Sequence, residues 1–148
     1  MNLGLFGTAA VLGISAVGSA IGLAIAGSGA IGAWKKCYMN NKQAPGTLTI
    51  FAGAPLTQTL YGFLVMLLMQ GKASNPVNSP LLFGIGIVCG LAIAASAIAQ
   101  GKAGACGADA QAETGQGFAN YIIVVGLCET VAIFVMAFCI LVVLGLPA

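Results

Sequence analysis

Four long stretches of the sequence carry almost no charge, and their lengths constrain the fold more than any other feature. Asp, Glu, Lys and Arg are absent from residues 1–34, 43–71 and 73–101, and residues 114–148 hold a single one, Glu129. A transmembrane helix needs about 20 mostly apolar residues. Stretches of 34, 29, 29 and 35 residues therefore predict an all-α membrane protein with four transmembrane helices.

The composition excludes several other classes. Only 5% of the 148 residues are charged, against about a quarter in a soluble domain. Five lysines without arginine give no clustered basic face for nucleic acid. The five cysteines form no CxxC pair and have no histidine to complete a zinc site, which favours free thiols. The N-terminus lacks the positive region of a signal peptide, so we expect a retained first helix.

The sequence is internally duplicated. Residues 18–28 (GSAIGLAIAGS) and 86–96 (GIVCGLAIAAS) are identical at seven of eleven positions. A second match, at an offset of 71 residues, aligns Gln58 with Glu129. The repeat unit therefore contains two membrane helices.

Two crossings per unit bring both copies into the membrane from the same side, so the repeats are parallel. We predict two tandem helical hairpins, residues 1–71 and 72–148, the second carrying the intramembrane carboxylate. A parallel unit can be continued sideways, and a rotation that closes produces a ring.

Turn residues and lysines predict the orientation. Pro-Gly in residues 43–46 and two glycines in residues 113–117 mark the hairpin tips, and residues 72–80 form a polar loop at the opposite end. Lys72 lies at that opposite end. The positive-inside rule places the tips in the cytoplasm and both termini outside, because the other lysines flank the tips: Lys35, Lys36, Lys42 and Lys102.

Small residues recur at intervals of four along the helix that leads into each tip. This spacing lets helix backbones approach closely. It is compatible with generic membrane-helix packing and with an inner ring of tightly packed helices. The residues are Gly18, Gly22, Ala26 and Ala30, then Gly86, Gly90 and Ala94.

Glu129 lies near the middle of the last apolar stretch. A charged residue at the centre of a membrane helix costs about 2.5–3.5 kcal/mol on insertion scales. The alternative to a functional role is a protonated acid that bridges two helices. We favour function, because intramembrane carboxylates mark ion or proton pathways.

Helix geometry predicts polar companions for Glu129. With a rise of about 1.5 Å per residue, Gln100 and Glu129 each lie roughly 22 Å from the second tip, and Gln58 lies roughly 20 Å from the first. Thr57, Gln58 and Tyr61 share a helical face. Pro55 has no N–H, so a carbonyl one turn earlier loses its helical partner.

Together these residues supply a carboxylate, two amide oxygens, a hydroxyl and an accessible carbonyl. A proton needs one carboxyl group and one acceptor, whereas a hard metal ion needs several oxygens in place of its hydration shell. The set therefore favours sodium. Either glutamine could instead form only a hydrogen bond between helices.

Three features of the sequence are typical of one family: the hairpin duplication, the single glutamate in the fourth helix and the Pro-Leu-Thr-Gln-Thr-Leu-Tyr segment, residues 55–61. In these features the chain closely resembles the 16-kDa proteolipid (c or K subunit) of V-type ATPases. The resemblance covers essentially the whole chain. The Thr-Gln-x-x-Tyr segment and the glutamine 29 residues before the glutamate are similar to the sodium-translocating branch, as in bacterial sodium-pumping enzymes.

The resemblance implies a set of sodium ligands. These are the side chains of Thr57, Gln58, Gln100 and Glu129 and the main-chain carbonyl of Ala54, with Tyr61 hydrogen-bonded to Glu129. Ala54 departs from the family pattern, in which a larger residue stands, and a main-chain ligand should tolerate the change.

The resemblance also implies partners and a mechanism. Copies of the subunit would form a ring in a bacterial plasma membrane and turn against a static membrane subunit whose arginine displaces the cation. A central stalk docked on the cytoplasmic tips would transmit rotation from an ATP-hydrolysing head, so the chain would be a non-catalytic part of an ATPase. Three alternatives stay open: the same rotor carrying protons, a small four-helix cation/drug antiporter, and a pore-forming or junction protein.

Overall fold

The computed structural model describes residues 2–147, and all regular secondary structure within them is helical. Four segments are long and apolar enough to cross a membrane. The predicted all-α, four-helix membrane fold is confirmed. The helices are α1 (Leu3–Met39), α2 (Leu48–Gly53), α3 (Thr57–Gln70), α4 (Ser79–Thr114) and α5 (Phe118–Leu144), with 3-10 turns at Ala54–Leu56 and Pro76–Asn78.

The longest helices, α1 and α4, pack side by side and run parallel. Gly7 of α1 lies against Leu82, and Gly29 lies against Ala105. At 37 and 36 residues, each is about 55 Å long, well beyond the 30 Å or so of a hydrocarbon core. The parallel direction of α1 and α4 agrees with the predicted parallel repeat. The boundary between the two hairpins, at residues 71 and 72, stays a prediction.

Small residues allow the close contact between α1 and α4. A side chain at Gly18 would overlap the backbone of Ala94, and one at Gly86 would overlap that of Gly7. Ala26 and Ala30 are fully buried. The small residues at four-residue intervals thus lie between two helices of the same chain. They allow the close approach that such residues allow between membrane helices in general.

The turns lie where the sequence predicts them. The first tip, between α1 and α2, contains residues 43–46. The second ends α4 with Gly115 and Gly117 in the left-handed region, at φ of 67° and 84°, a conformation that glycine adopts without steric cost. At the opposite end, the Asn75 side chain accepts a hydrogen bond from the backbone N–H of Val77.

The five cysteines, Cys37, Cys89, Cys106, Cys128 and Cys139, are free thiols, as predicted. Cys37 and Cys89 are buried in the two apolar clusters of the bundle. There they pack as small apolar side chains.

Ion pairs join the two tips. The ammonium group of Lys36 contacts the carboxylates of Glu113 and Asp109, the latter at 3.5 Å. Lys42 donates a hydrogen bond to the backbone carbonyl of Glu113 at 3.2 Å. These contacts are solvent-exposed, where ion pairs contribute little to stability because water and salt screen them.

We therefore expect Lys36→Ala to leave the unfolding of the chain by sodium dodecyl sulfate unchanged within error. Circular dichroism during a detergent titration measures this. Glu113→Ala removes the same ion pair from its acidic side and should give the same result. A clear loss of resistance in either variant would mean that the exposed pairs stabilise the fold.

Candidate ion-binding site

The second membrane segment is helical from Leu48 to Gln70, but its α-helical hydrogen bonding is interrupted by a 3-10 turn at Pro55. α2 ends at Gly53, the 3-10 turn covers Ala54–Leu56, and α3 begins at Thr57. Proline has no N–H to donate, so the α-helical hydrogen-bond ladder cannot continue through it. The break confirms the local loosening predicted at this proline. The Ala54 carbonyl accepts a hydrogen bond from the Thr57 hydroxyl at 3.2 Å.

A chain of hydrogen bonds crosses the bundle from this break to α5. The Thr57 hydroxyl also lies 3.3 Å from Oε1 of Gln58, and its single proton is shared between that oxygen and the Ala54 carbonyl. Nε2 of Gln58 donates to Oε1 of Gln100 at 2.7 Å. Nε2 of Gln100 donates to Oε2 of Glu129 at 3.2 Å. Residues from three membrane segments are thereby joined at one depth.

Tyr61 closes the other side of the carboxylate. Its hydroxyl donates to Oε1 of Glu129 at 2.6 Å, so both carboxylate oxygens accept a hydrogen bond from a neighbouring segment. Tyr61 lies one helical turn after Thr57, which is why α3 presents both side chains on one face. The structure therefore brings together all six residues named from the sequence: Ala54, Thr57, Gln58, Tyr61, Gln100 and Glu129.

Burial differs across the cluster. Gln58 and Gln100 are fully buried, whereas Glu129 is only half-buried. On either side of Glu129, α5 exposes the apolar side chains of Leu127 and Phe134. The amides are thus enclosed between helices, and the carboxylate lies at the apolar outer surface of the bundle.

Two backbone contacts at the site were not predicted. Nε2 of Gln100 also donates to the Val125 carbonyl at 3.2 Å, and the Ser96 hydroxyl donates to the Cys128 carbonyl at 2.7 Å. Both fix α4 against α5 next to Glu129. The only sequence signal is spacing, since Val125 precedes Glu129 by one helical turn.

The cluster offers a cation one negative charge and several neutral oxygens. Carboxylate, amide, hydroxyl and carbonyl oxygens are the ligands of hard cations. In the geometry of the structure, the Gln58 and Gln100 amides bond to each other. Ligation by both amide oxygens would need the amides to turn, and ligation by these residues stays a prediction.

The fold and site define a small membrane proteolipid of two parallel hairpins with one intramembrane carboxylate. The chain belongs to the ATP synthase C-subunit family, whose model matches residues 6–69 and 83–142. It is also similar to the A-type ATP synthase subunit K of Methanocaldococcus jannaschii, at 38% identity over 143 residues. That match covers 97% of this chain and 62% of the relative. The resemblance to a c or K proteolipid is confirmed.

Proposed function

We propose that this chain is a rotor subunit of a rotary ATPase and forms, with further copies, a membrane ring that carries sodium ions. The observation that carries the proposal is the hydrogen-bonded cluster of Thr57, Gln58, Gln100 and Glu129 at one membrane depth. Parallel hairpins can be continued sideways and closed into a ring. The resemblance supplies the rotary context.

The number of oxygens favours sodium over a proton. A proton would occupy Glu129 with a single acceptor, and the buried Gln58 amide, which does not contact Glu129, would have no role in binding it. Sodium would use the side-chain oxygens of Thr57, Gln58, Gln100 and Glu129 with the Ala54 carbonyl, as the resemblance implies. We expect both amide oxygens to turn toward the ion.

Glu129 lies at the apolar surface, so the same site could serve a rotor subunit with the ion bound and with the ion released. With sodium bound, the carboxylate is neutralised and can face lipid. Without the ion, the charge is costly in lipid and should stay beside a positive partner. We propose that an arginine of a static membrane subunit is that partner.

The remaining parts of the machine lie outside this chain. An ATP-hydrolysing head would turn the ring through a central stalk docked on the hairpin tips, which makes this chain a non-catalytic subunit. We place the tips in the cytoplasm, because four of the five lysines flank them. The bacterial plasma membrane is a proposal from the resemblance alone.

The duplication favours pumping over synthesis. Gln58 occupies in the first repeat the position that Glu129 holds in the second, so one carboxylate serves four helices. Each ion moved against the membrane potential costs about 2.3 kcal/mol per 100 mV. Fewer ions per revolution let the same ATP energy work against a steeper gradient.

Sodium-dependent protection of Glu129 tests the proposal. A hydrophobic carbodiimide should modify Glu129 in sodium-free membranes, and millimolar sodium should slow the modification where the same concentration of potassium does not. Labelling that sodium leaves unchanged, at a pH where it still proceeds, would contradict sodium binding and favour the proton-carrying rotor. Isolation of the native complex without ATPase subunits would contradict the rotor itself.

Tyr61→Phe should weaken sodium binding without abolishing it. The variant removes the hydroxyl that holds one carboxylate oxygen of Glu129 and leaves the proposed ligands in place. A hydrogen bond to a charged group contributes about 1.5–3 kcal/mol, so the sodium concentration for half-protection should rise at least about tenfold. Tyr121→Phe is the control, because Tyr121 lies at the second tip beside Gly117. Equal protection of both variants would remove Tyr61 from the site.

A further inference from the structure

Two serines one helical turn apart on α1 behave differently. Both are buried, Ser15 fully and Ser19 to within 2%. The Ser15 hydroxyl donates to the carbonyl of Val11 at 2.7 Å, the usual bond of a serine inside a helix. The Ser19 hydroxyl has no hydrogen-bond partner within residues 2–147. A buried polar group without a partner is unfavourable and calls for an explanation.

Contacts on either side place Ser19 at the depth of the ion site. Gly62 of α3 lies against Ser15, and the proline that breaks the second segment lies against Gly22. From the first contact to the second, the residue number rises along α1, from 15 to 22, and falls along the second segment, from 62 to 55. The two segments therefore run antiparallel. Midway between the two contacts, Ser19 is level with Gln58.

The helix that carries Gln100 closes the other side. Gly18 lies against Ala94 and Gly22 lies against Ala97, both on α4. Ser19 lies between these two glycines, at the junction of α1, α3 and α4. These neighbours place the buried Ser19 among the elements that hold the two amides.

The Gln58 amide needs a new acceptor if sodium binds. In the structure its Nε2 donates to Oε1 of Gln100 at 2.7 Å. When that oxygen turns to the cation, the Gln58 N–H must donate elsewhere or stay buried and unpaired. A serine hydroxyl has two lone pairs and can accept it.

We propose that Ser19 is a positioning residue of the ion site, whose hydroxyl oxygen accepts the Gln58 N–H in the sodium-bound state. This contact holds the amide with its oxygen toward the ion. The inference rests on the proposed sodium function, because it assigns Ser19 a role only when the amides ligate a cation. Ser19 would touch Gln58 and not the ion.

Ser15 provides a matched control for the experiment. Ser19→Ala and Ser15→Ala each remove one buried hydroxyl from the same helix, and the native complex in membranes is tested for sodium protection of Glu129 from carbodiimide. Ser19→Ala should raise the half-protecting sodium concentration about tenfold. Ser15→Ala should stay within about twofold, because its hydroxyl bonds only to its own helix. Equal labelling rates in sodium-free buffer would show that neither substitution changes the access of the carbodiimide to Glu129.

The outcomes separate the two proposals. If wild type is protected and Ser19→Ala needs no more sodium than Ser15→Ala, the role of Ser19 is wrong and the sodium rotor stands. If sodium fails to protect wild type, both proposals fall. A ring structure in sodium adds a direct check, with the Ser19 oxygen expected within hydrogen-bond distance of Nε2 of Gln58. A Ser19 oxygen beyond hydrogen-bond distance of that nitrogen in the sodium-bound ring would overturn the inference.

Discussion

Glu129→Gln is expected to abolish ion transport by the assembled complex while leaving the chain inserted and packed. The amide has nearly the same shape as the carboxyl group, and its oxygen can still accept the Tyr61 hydroxyl. It carries no charge, so it cannot neutralise a cation in a low-dielectric membrane. Insertion should become easier, because a charged residue at the centre of a membrane helix costs about 2.5–3.5 kcal/mol.

Transport is measured as radioactive sodium uptake by inverted vesicles supplied with ATP, beside carbodiimide labelling of the proteolipid. Glu129→Gln should show neither uptake nor labelling. Glu129→Asp is the control that keeps the charge and shortens the side chain by one methylene, so it should retain labelling with reduced uptake. Sodium uptake by Glu129→Gln would mean that the ion is carried elsewhere.

Gly22→Ala is expected to destabilise the bundle strongly through a single added methyl group. A β-carbon at Gly22 would overlap the Ala97 carbonyl on α4 and lie 2.8 Å from Cβ of Pro55. Two segments would have to move apart at the depth of the ion site. Overpacking of this kind costs about 1–3 kcal/mol of folding free energy. We expect the upper end of that range, because one of the overlapping groups is the backbone of α4, which cannot rotate away as a side chain can.

Gly13→Ala is the matched control on the same helix, since a β-carbon there meets nothing within 4 Å in the chain. It should be neutral or stabilise the chain by up to about 1 kcal/mol, because alanine favours helix over glycine. Unfolding of the purified subunit in a detergent titration measures both variants. Equal midpoints would contradict the close α1–α4 contact.

Depth along a membrane helix can be predicted from sequence, because the rise per residue is fixed once the turns are known. This is why Gln58, Gln100 and Glu129 can be placed at one level without knowledge of any side-chain contact. The break at Pro55 was predictable for a similar reason, since it follows from the covalent structure of proline. The four membrane helices followed from the three charge-free stretches and the fourth stretch, in which Glu129 is the one charged residue.

Contacts that depend on side-chain rotation could not be predicted in this way. Nothing in the sequence distinguishes Ser15, bonded to its own helix, from Ser19, which has no partner among the described residues. The second acceptor of Gln100 is a backbone carbonyl, at Val125, and the side chain of that residue gives no sign of it. The pairing of Lys36 with Glu113 requires the two tips to be adjacent, which depends on how α1 and α4 pack.

The most direct test of the central claim is a high-resolution structure of the ring prepared in sodium and, separately, in sodium-free buffer. We predict one density per subunit in sodium, surrounded by the oxygens of Thr57, Gln58, Gln100 and Glu129 and the Ala54 carbonyl. In sodium-free buffer, the hydrogen bond between the Gln58 and Gln100 amides should return. Identical maps, with the two amides bonded to each other and no density among the oxygens in either buffer, would contradict the sodium site.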